Sequence, residues 1–161
     1  MVAQVLRFIR LPLVLLVVYA IARFSLGLAG VPYAPRGNAM FSVVGLTFIS
    51  SLYFGAMSGR VARLNWGGTV LIGLFIGLFA QILVFAATFA SYAAHLNTYF
   101  VHWDALNVPE GTTVPMSQAL MARLGGLIIN PIIATIVALI GRLLAFLAPK
   151  PVNFADQTIR A

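Results

Sequence analysis

Between Gly67 and Ala94 the chain passes through a stretch without a single charged residue. A bilayer hydrocarbon core needs about 20 such residues in a helix. Inside lipid the backbone must satisfy its own hydrogen bonds, which leaves a helix or a closed barrel. The apolar residues here are continuous rather than alternating, so the stretch reads as helix. Three other runs are also predominantly apolar, though two of them contain arginine: Leu11 to Gly30, Ala39 to Gly59 and Ser117 to Leu147. The 161-residue chain is 61% hydrophobic and only 8% charged, too apolar to cover a water-facing surface. A soluble domain carries roughly 25% charged residues. The expected class is all-α: one membrane domain, a four-helix polytopic bundle with spans at 11–30, 39–59, 67–94 and 117–147, a loop at 95–116 and a tail at 149–161.

The connections "VPYAPRGN" and "RVARLNW" are short, which makes sequential spans antiparallel neighbours. The N-terminus imitates a signal peptide, with Arg7 and Arg10 before "LPLVLLVVYAIA" and then the small-residue run "LGLAG". Arg23 interrupts the apolar run before that run, so the segment is read as a retained helix. Direction follows from Lys and Arg. Arg7, Arg10, Arg60, Arg63, Arg142, Lys150 and Arg160 fall on one side, and Arg23, Arg36 and Arg123 on or toward the other. This asymmetry expects both termini in the cytoplasm and residence in a cytoplasmic membrane of bacterial inner-membrane type. In a soluble protein the net charge of +7 would suggest nucleic acid. Here the basic residues flank apolar runs and no basic stretch is interleaved with aromatics, so the partner is the bilayer and its anionic headgroups.

Within this frame the polar residues can be placed by depth. Arg123 and Arg142 are 19 residues apart in the last span, or about 28 Å, one hydrocarbon thickness. Asn130 and Pro131 then fall near the midplane. Pro131 has no N–H, so the carbonyl of Leu127 loses its helical partner and must face protein or water. A bend is expected there, with Asn130 turned inward. Gln81 lies about 22 Å from the interfacial Trp66, near the same depth. Ser50 and Ser51 occupy the middle of the second span. Ser50, Ser51, Gln81, Asn130 and Pro131 are therefore a candidate midplane cluster or pore lining. Arg23 and Arg123 are candidate anion-facing groups in the outer half. Gly73 and Gly77 in "GLFIG", and Gly55 and Gly59 in "GAMSG", mark faces where helix backbones can approach closely.

The same residues exclude much chemistry. The spans contain no Asp or Glu, the usual proton-coupling groups. Small multidrug transporters have four spans too, but the first-span glutamate of that family has no counterpart in "LPLVLLVVYAIA". "AMSG" places Ser58 most of a bilayer away from both histidines, too far for a nucleophile and its base. No phosphate loop, dinucleotide fingerprint or acidic cluster occurs. His95 and His102 are weak metal candidates, without the spacing of a zinc-protease helix. The chain has no cysteine, hence no thiol chemistry or disulfide. No cofactor and no catalysis are expected. Two functions remain: a helix-packing accessory or self-associating subunit, in homo-oligomers or with other membrane subunits, and a small oligomeric channel or carrier for a neutral or anionic solute.

Overall fold

The computed structural model describes residues 1–32 and 41–148. The tail from 149, with Lys150 and Arg160, and the connection containing Arg36 lie outside the described residues. Those described form helices, with no strand among them. In chain order they are α1 (Val2–Phe8), α2 (Arg10–Leu28), α3 (Val43–Arg60), α4 (Trp66–Ala93), α5 (Trp103–Leu106) and α6 (Met116–Leu147). Three of them, α2, α4 and α6, are long and apolar enough to cross a membrane.

The first span, expected at 11–30, is preceded by a helix of its own. Pro12 cannot donate to the carbonyl of Phe8, so the ladder is interrupted there, and Ile9 between α1 and α2 leaves helical geometry with φ −90° and ψ 10°. The break lets α1 turn onto α4. Val5 and Ile9 become fully buried, Phe8 meets Phe54 edge-on at 5.2 Å, and Gln4 donates to the carbonyl of Ala62 at 3.0 Å. The N-terminus is thereby fixed beside the α3–α4 turn.

The starts of α3 and α4 follow capping chemistry. The side chains of Ser42 and Asn65 accept from the N–H groups of Gly45 and Gly68, at 3.1 and 2.9 Å, giving α3 and α4 partners for donors that would otherwise be orphaned. Helix α4 is the centre of the bundle, in contact with α1, α2, α3 and α6, while α6 packs along α4 and α3 and α2 covers another side of the same two helices. The helix α6 continues through Pro131 without interruption. Proline is tolerated because its ring packs against α4 instead of lipid: Pro131 is buried, and a carbon added to Gly77 would lie 2.7 Å from Pro131 Cα.

Small residues set the spacing. A Cβ on Gly73 would run into the backbone of Thr135 and Ala134, and one on Gly55 into the carbonyl of Ala138. From the other side, one on Gly141 would meet the carbonyl of Leu52. Gly73 and Gly77 therefore seat α6 on α4, and Gly55 with Gly141 seats it on α3. Gly59 differs. Its nearest neighbour is the Nη2 of Arg142, 3.3 Å from an added Cβ, so it makes room for a side chain instead of a backbone. Ala134 and Ala138 complete the seam and are fully buried.

Candidate functional site

Two polar layers cross this seam, with a third group of contacts closing the end opposite the α3–α4 turn. In the middle layer Asn130 Nδ2 donates to Gln81 Oε1 at 2.5 Å, and Gln81 Nε2 donates to the carbonyl of Arg123 at 3.0 Å. Gln81 is 4% exposed. Its amide lies flat against Gly126, where any Cβ would strike it. The carbonyl that receives Gln81 is one turn before that of Leu127, which Pro131 releases. Ser50 and Ser51 are buried on α3 but do not join the pair, and the Ser51 hydroxyl has no hydrogen-bond partner among the described residues. Beside Gln81 and Asn130, the space bounded by Val44, Thr47, Phe48, Ala80 and Val84 is about 10 Å³. That is at the lower limit for a single water. Asn130→Leu is expected to cost about 1–2 kcal/mol, the value of a membrane hydrogen bond, because it leaves Gln81 Oε1 without its donor. Thermal unfolding in detergent reads this directly.

The second layer lies toward the α3–α4 turn. Arg142 Nη1 reaches Thr69 Oγ1 at 2.6 Å and the carbonyls of Asn65 and Leu64 at 2.8 and 3.0 Å. Ser58 and Thr69, both fully buried, share a hydrogen bond of 2.8 Å, and Ser58 also donates to the carbonyl of Gly55 at 2.7 Å. The guanidinium sits 4.5 Å from the centre of the Trp66 ring, and Trp66 stacks on Phe146. Sequence reasoning treated Arg142 as a headgroup anchor and missed this layer. The available signal was Ser58, the "NWGGT" run and Arg142 at matching depths on three spans.

At the opposite end Arg23 and Arg123 contact adjacent residues of the α4–α6 loop. The Arg23 guanidinium lies 5.5 Å from the centre of the Tyr99 ring. Arg123 donates through Nε to Thr88 Oγ1 at 3.2 Å and through Nη2 to the carbonyl of Phe100 at 3.0 Å. Tyr99 donates to the carbonyl of Val31 at 2.7 Å, Tyr92 to that of Val114 at 2.7 Å, and Ser91 pairs with Thr98 at 2.7 Å. Both arginines hold the α4–α6 loop on the helix ends. Gly27 fits beneath it, 2.7 Å from the Tyr99 nitrogen as measured from an added Cβ.

His102 is part of this lid. Its Nδ1 accepts from the N–H of Asp104 at 3.2 Å and caps α5, while His95 ends α4 in a left-handed turn with φ 52°. Among the described residues no group of three metal-ligand side chains occurs. Burial pushes the pKa of His102 below its usual value; Asp104 opposes this, Arg23 reinforces it, and Glu110 opposes it. A base whose pKa is lowered on folding is bound as its neutral form. Its contribution to stability is present above the unfolded pKa of about 6.5 and is lost as the pH falls through the folded value. Protonation also removes the lone pair that accepts from Asp104. Lowering the pH from neutral to acidic should therefore lower the melting temperature, and His102→Asn, which keeps a capping acceptor, should flatten that slope. An unchanged slope in the variant would assign the pH effect to another group.

No protein-family model, curated protein or solved structure matches the chain.

Proposed function

We propose that this chain is a small integral membrane protein without catalytic activity, acting as a helix-packing accessory or self-associating subunit, with four spans and both termini in the cytoplasm. The observation that carries the reading is the fate of the polar groups in the bundle. Gln81 and Asn130 are turned onto each other and onto backbone, and the space beside them is about 10 Å³. Such an arrangement supports a role in fastening helices. It favours packing over the channel or carrier reading, whose lining of Ser51, Gln81, Asn130 and Arg23 would have to share a wet cavity.

Helix α3 is taken as the fourth span because its polar residues face inward. Thr47, Ser50, Ser51 and Ser58 are buried, while Val44, Ile49, Leu52 and Tyr53 are exposed. The Gly73/Gly77 and Gly55 faces are already closed by α6, so association with copies of the chain or other subunits would use the outer apolar faces of the helices. The topology is supported by Gln4, which ties the N-terminus to the turn carrying Arg63, and by Asp104 and Glu110, which lie at the other end.

Native mass spectrometry from nanodiscs, with solute flux measured in proteoliposomes, tests the function. Assemblies larger than one chain with no flux above empty vesicles are expected. A strictly monomeric protein, or flux abolished by Asn130→Leu with the fold intact, would overturn the reading. Topology is tested separately, since the chain has no native cysteine. A cysteine at Thr112 should react with an impermeant thiol reagent in intact cells and one at Gln157 should not; the reverse pattern inverts the bundle.

A further inference from the structure

We infer that a cavity between α3 and α6, at the end bearing the α3–α4 turn, binds the phosphate of an anionic phospholipid. The cavity has a volume of about 250 Å³ and is lined by Ala56, Gly59 and Arg60 of α3 and by Arg142, Ala145 and Phe146 of α6. The small residues Ala56, Gly59 and Ala145 leave the space, and the two arginines give it charge. Against the filled midplane layer, this is room for a headgroup.

The decisive feature is which edge of Arg142 its own partners leave unused. The bonds that Arg142 makes to Ser58, Leu64, Asn65 and Thr69 all leave from Nη1. Nη2 lies against Gly59 on the cavity wall, and Nε is buried with no hydrogen-bond partner among the described residues. Nε and Nη2 form the edge of a guanidinium that grips two oxygens of one phosphate or carboxylate in parallel. A buried N–H left without a partner is costly, and an oxygen seated on this edge would supply it. Arg60 lies across the opening, where its Nη2 donates to the carbonyl of Ala148 at 2.8 Å.

Electrostatics select an anion despite the helix ends. The C-termini of α3 and α6 are both here, each equivalent to roughly half a negative charge. Two guanidiniums outweigh them, and Arg63 on the adjoining turn adds to the field. The described carboxylates, Asp104 and Glu110, are in the loop at the other end of the bundle.

The flank of the cavity selects a lipid over a free anion. Phe146 is 70% exposed and Leu147 82%, with Leu143 and Leu144 also exposed along α6. A phosphate held at Arg142 would have its acyl chains against this surface, with Trp66, stacked on Phe146, at the headgroup level. The inference rests on α3 and α6 being membrane spans.

The experiment uses the full chain, purified and delipidated in detergent, titrated with phosphatidylglycerol or phosphatidylcholine of the same acyl length and followed by native mass spectrometry. Phosphatidylglycerol should be retained preferentially. One basic contact near a membrane surface corresponds to about fivefold in affinity, so Arg60→Gln should lose roughly that factor. Ala145→Leu, which fills the cavity, should abolish the preference. Arg60 makes only an exposed bond to the carbonyl of Ala148 and Ala145 lines the cavity, so both variants should melt close to the parent in the absence of lipid. Equal retention of the two lipids, or a preference unchanged in both variants, would overturn the site. Inorganic phosphate in millimolar excess should neither stabilise the protein nor displace the lipid; if it stabilises as well as phosphatidylglycerol, the ligand is a soluble phosphate and the lipid assignment fails. A chain that does not float with liposomes would overturn the membrane reading itself, independently of the lipid preference.

Discussion

Gly77→Leu should pull α4 away from α6 and cost at least about 3 kcal/mol, the upper part of the range for overpacked cores. The first added carbon already meets Pro131 Cα at 2.7 Å, Ala134 Cβ at 2.8 Å and the carbonyl oxygen of Asn130 at 3.0 Å. Two of these three atoms are backbone, and the third is a methyl on a fully buried alanine. None can rotate aside, so the helices must separate. Separation also breaks the Asn130–Gln81 bond one turn further along, because both contacts share a single helix spacing. Gly77→Ala should show a smaller loss of the same kind. Gly125→Leu is the control: it lies on α6 with nothing within 4 Å of an added Cβ, and its melting temperature should match that of the parent. Thermal unfolding in detergent, with size-exclusion of the folded fraction, distinguishes these outcomes. A Gly77→Leu protein that melts like the Gly125 variant would show that α4 and α6 do not touch at this point.

Arg142→Met should be comparably damaging, on the order of 3 kcal/mol, since hydrogen bonds to a charged donor are worth about 1.5–3 kcal/mol. Methionine keeps the apolar stem and some contact with Trp66 but donates nothing. The carbonyls of Leu64 and Asn65 and the hydroxyl of Thr69 lose the guanidinium together, and among the described residues only the latter two keep other hydrogen bonds, through the Thr69 N–H and Ser58. These groups close the α3–α4 turn, where Arg63 holds a left-handed φ of 51° and Leu64 donates back to the carbonyl of Ser58 at 2.9 Å. With the clamp removed, the turn should open before the rest of the bundle melts, which amide hydrogen exchange of residues 61–69 would detect. Arg142→Lys should fall between the two, because one ammonium retains the charge but not the planar fork. If Arg142→Met left both exchange and melting unchanged, Arg142 would be only a headgroup anchor.

The two variants concern different kinds of information in the chain. A helix face is written in one segment: Gly73 and Gly77 are four apart, and their capacity for close approach is visible without knowing the partner. The same is true of Pro131, whose missing N–H forbids a lipid-facing position whatever packs there, and of Gln81 and Asn130, whose amides require partners in an apolar medium. Depth along a span could also be counted, because a helix has a fixed rise. Those local and one-dimensional quantities were sufficient for an all-helical membrane-type chain and for bringing Gln81 near Asn130.

Rotation about each helix axis, and the partner across each contact, depended on all the elements at once. Ser51 has a similar depth to Gln81, yet its hydroxyl has no partner among the described residues, because α3 meets α6 through Gly55 and Gly141, which fixes the rotation of α3. Arg23 and Arg123 share an end of the bundle, and the α4–α6 loop meets them there through the adjacent residues Tyr99 and Phe100. The helix at Val2–Phe8 hinges at Ile9 because Pro12 breaks the ladder, and only the surface offered by α4 determines where it lands. Charge, depth and the need for hydrogen bonds are properties of a residue in its own segment, so the sequence determined them. The pairing of Arg142 with Ser58 and Thr69, and the cavity left beside Gly59, arise from three helices meeting, and only the tertiary structure decided them.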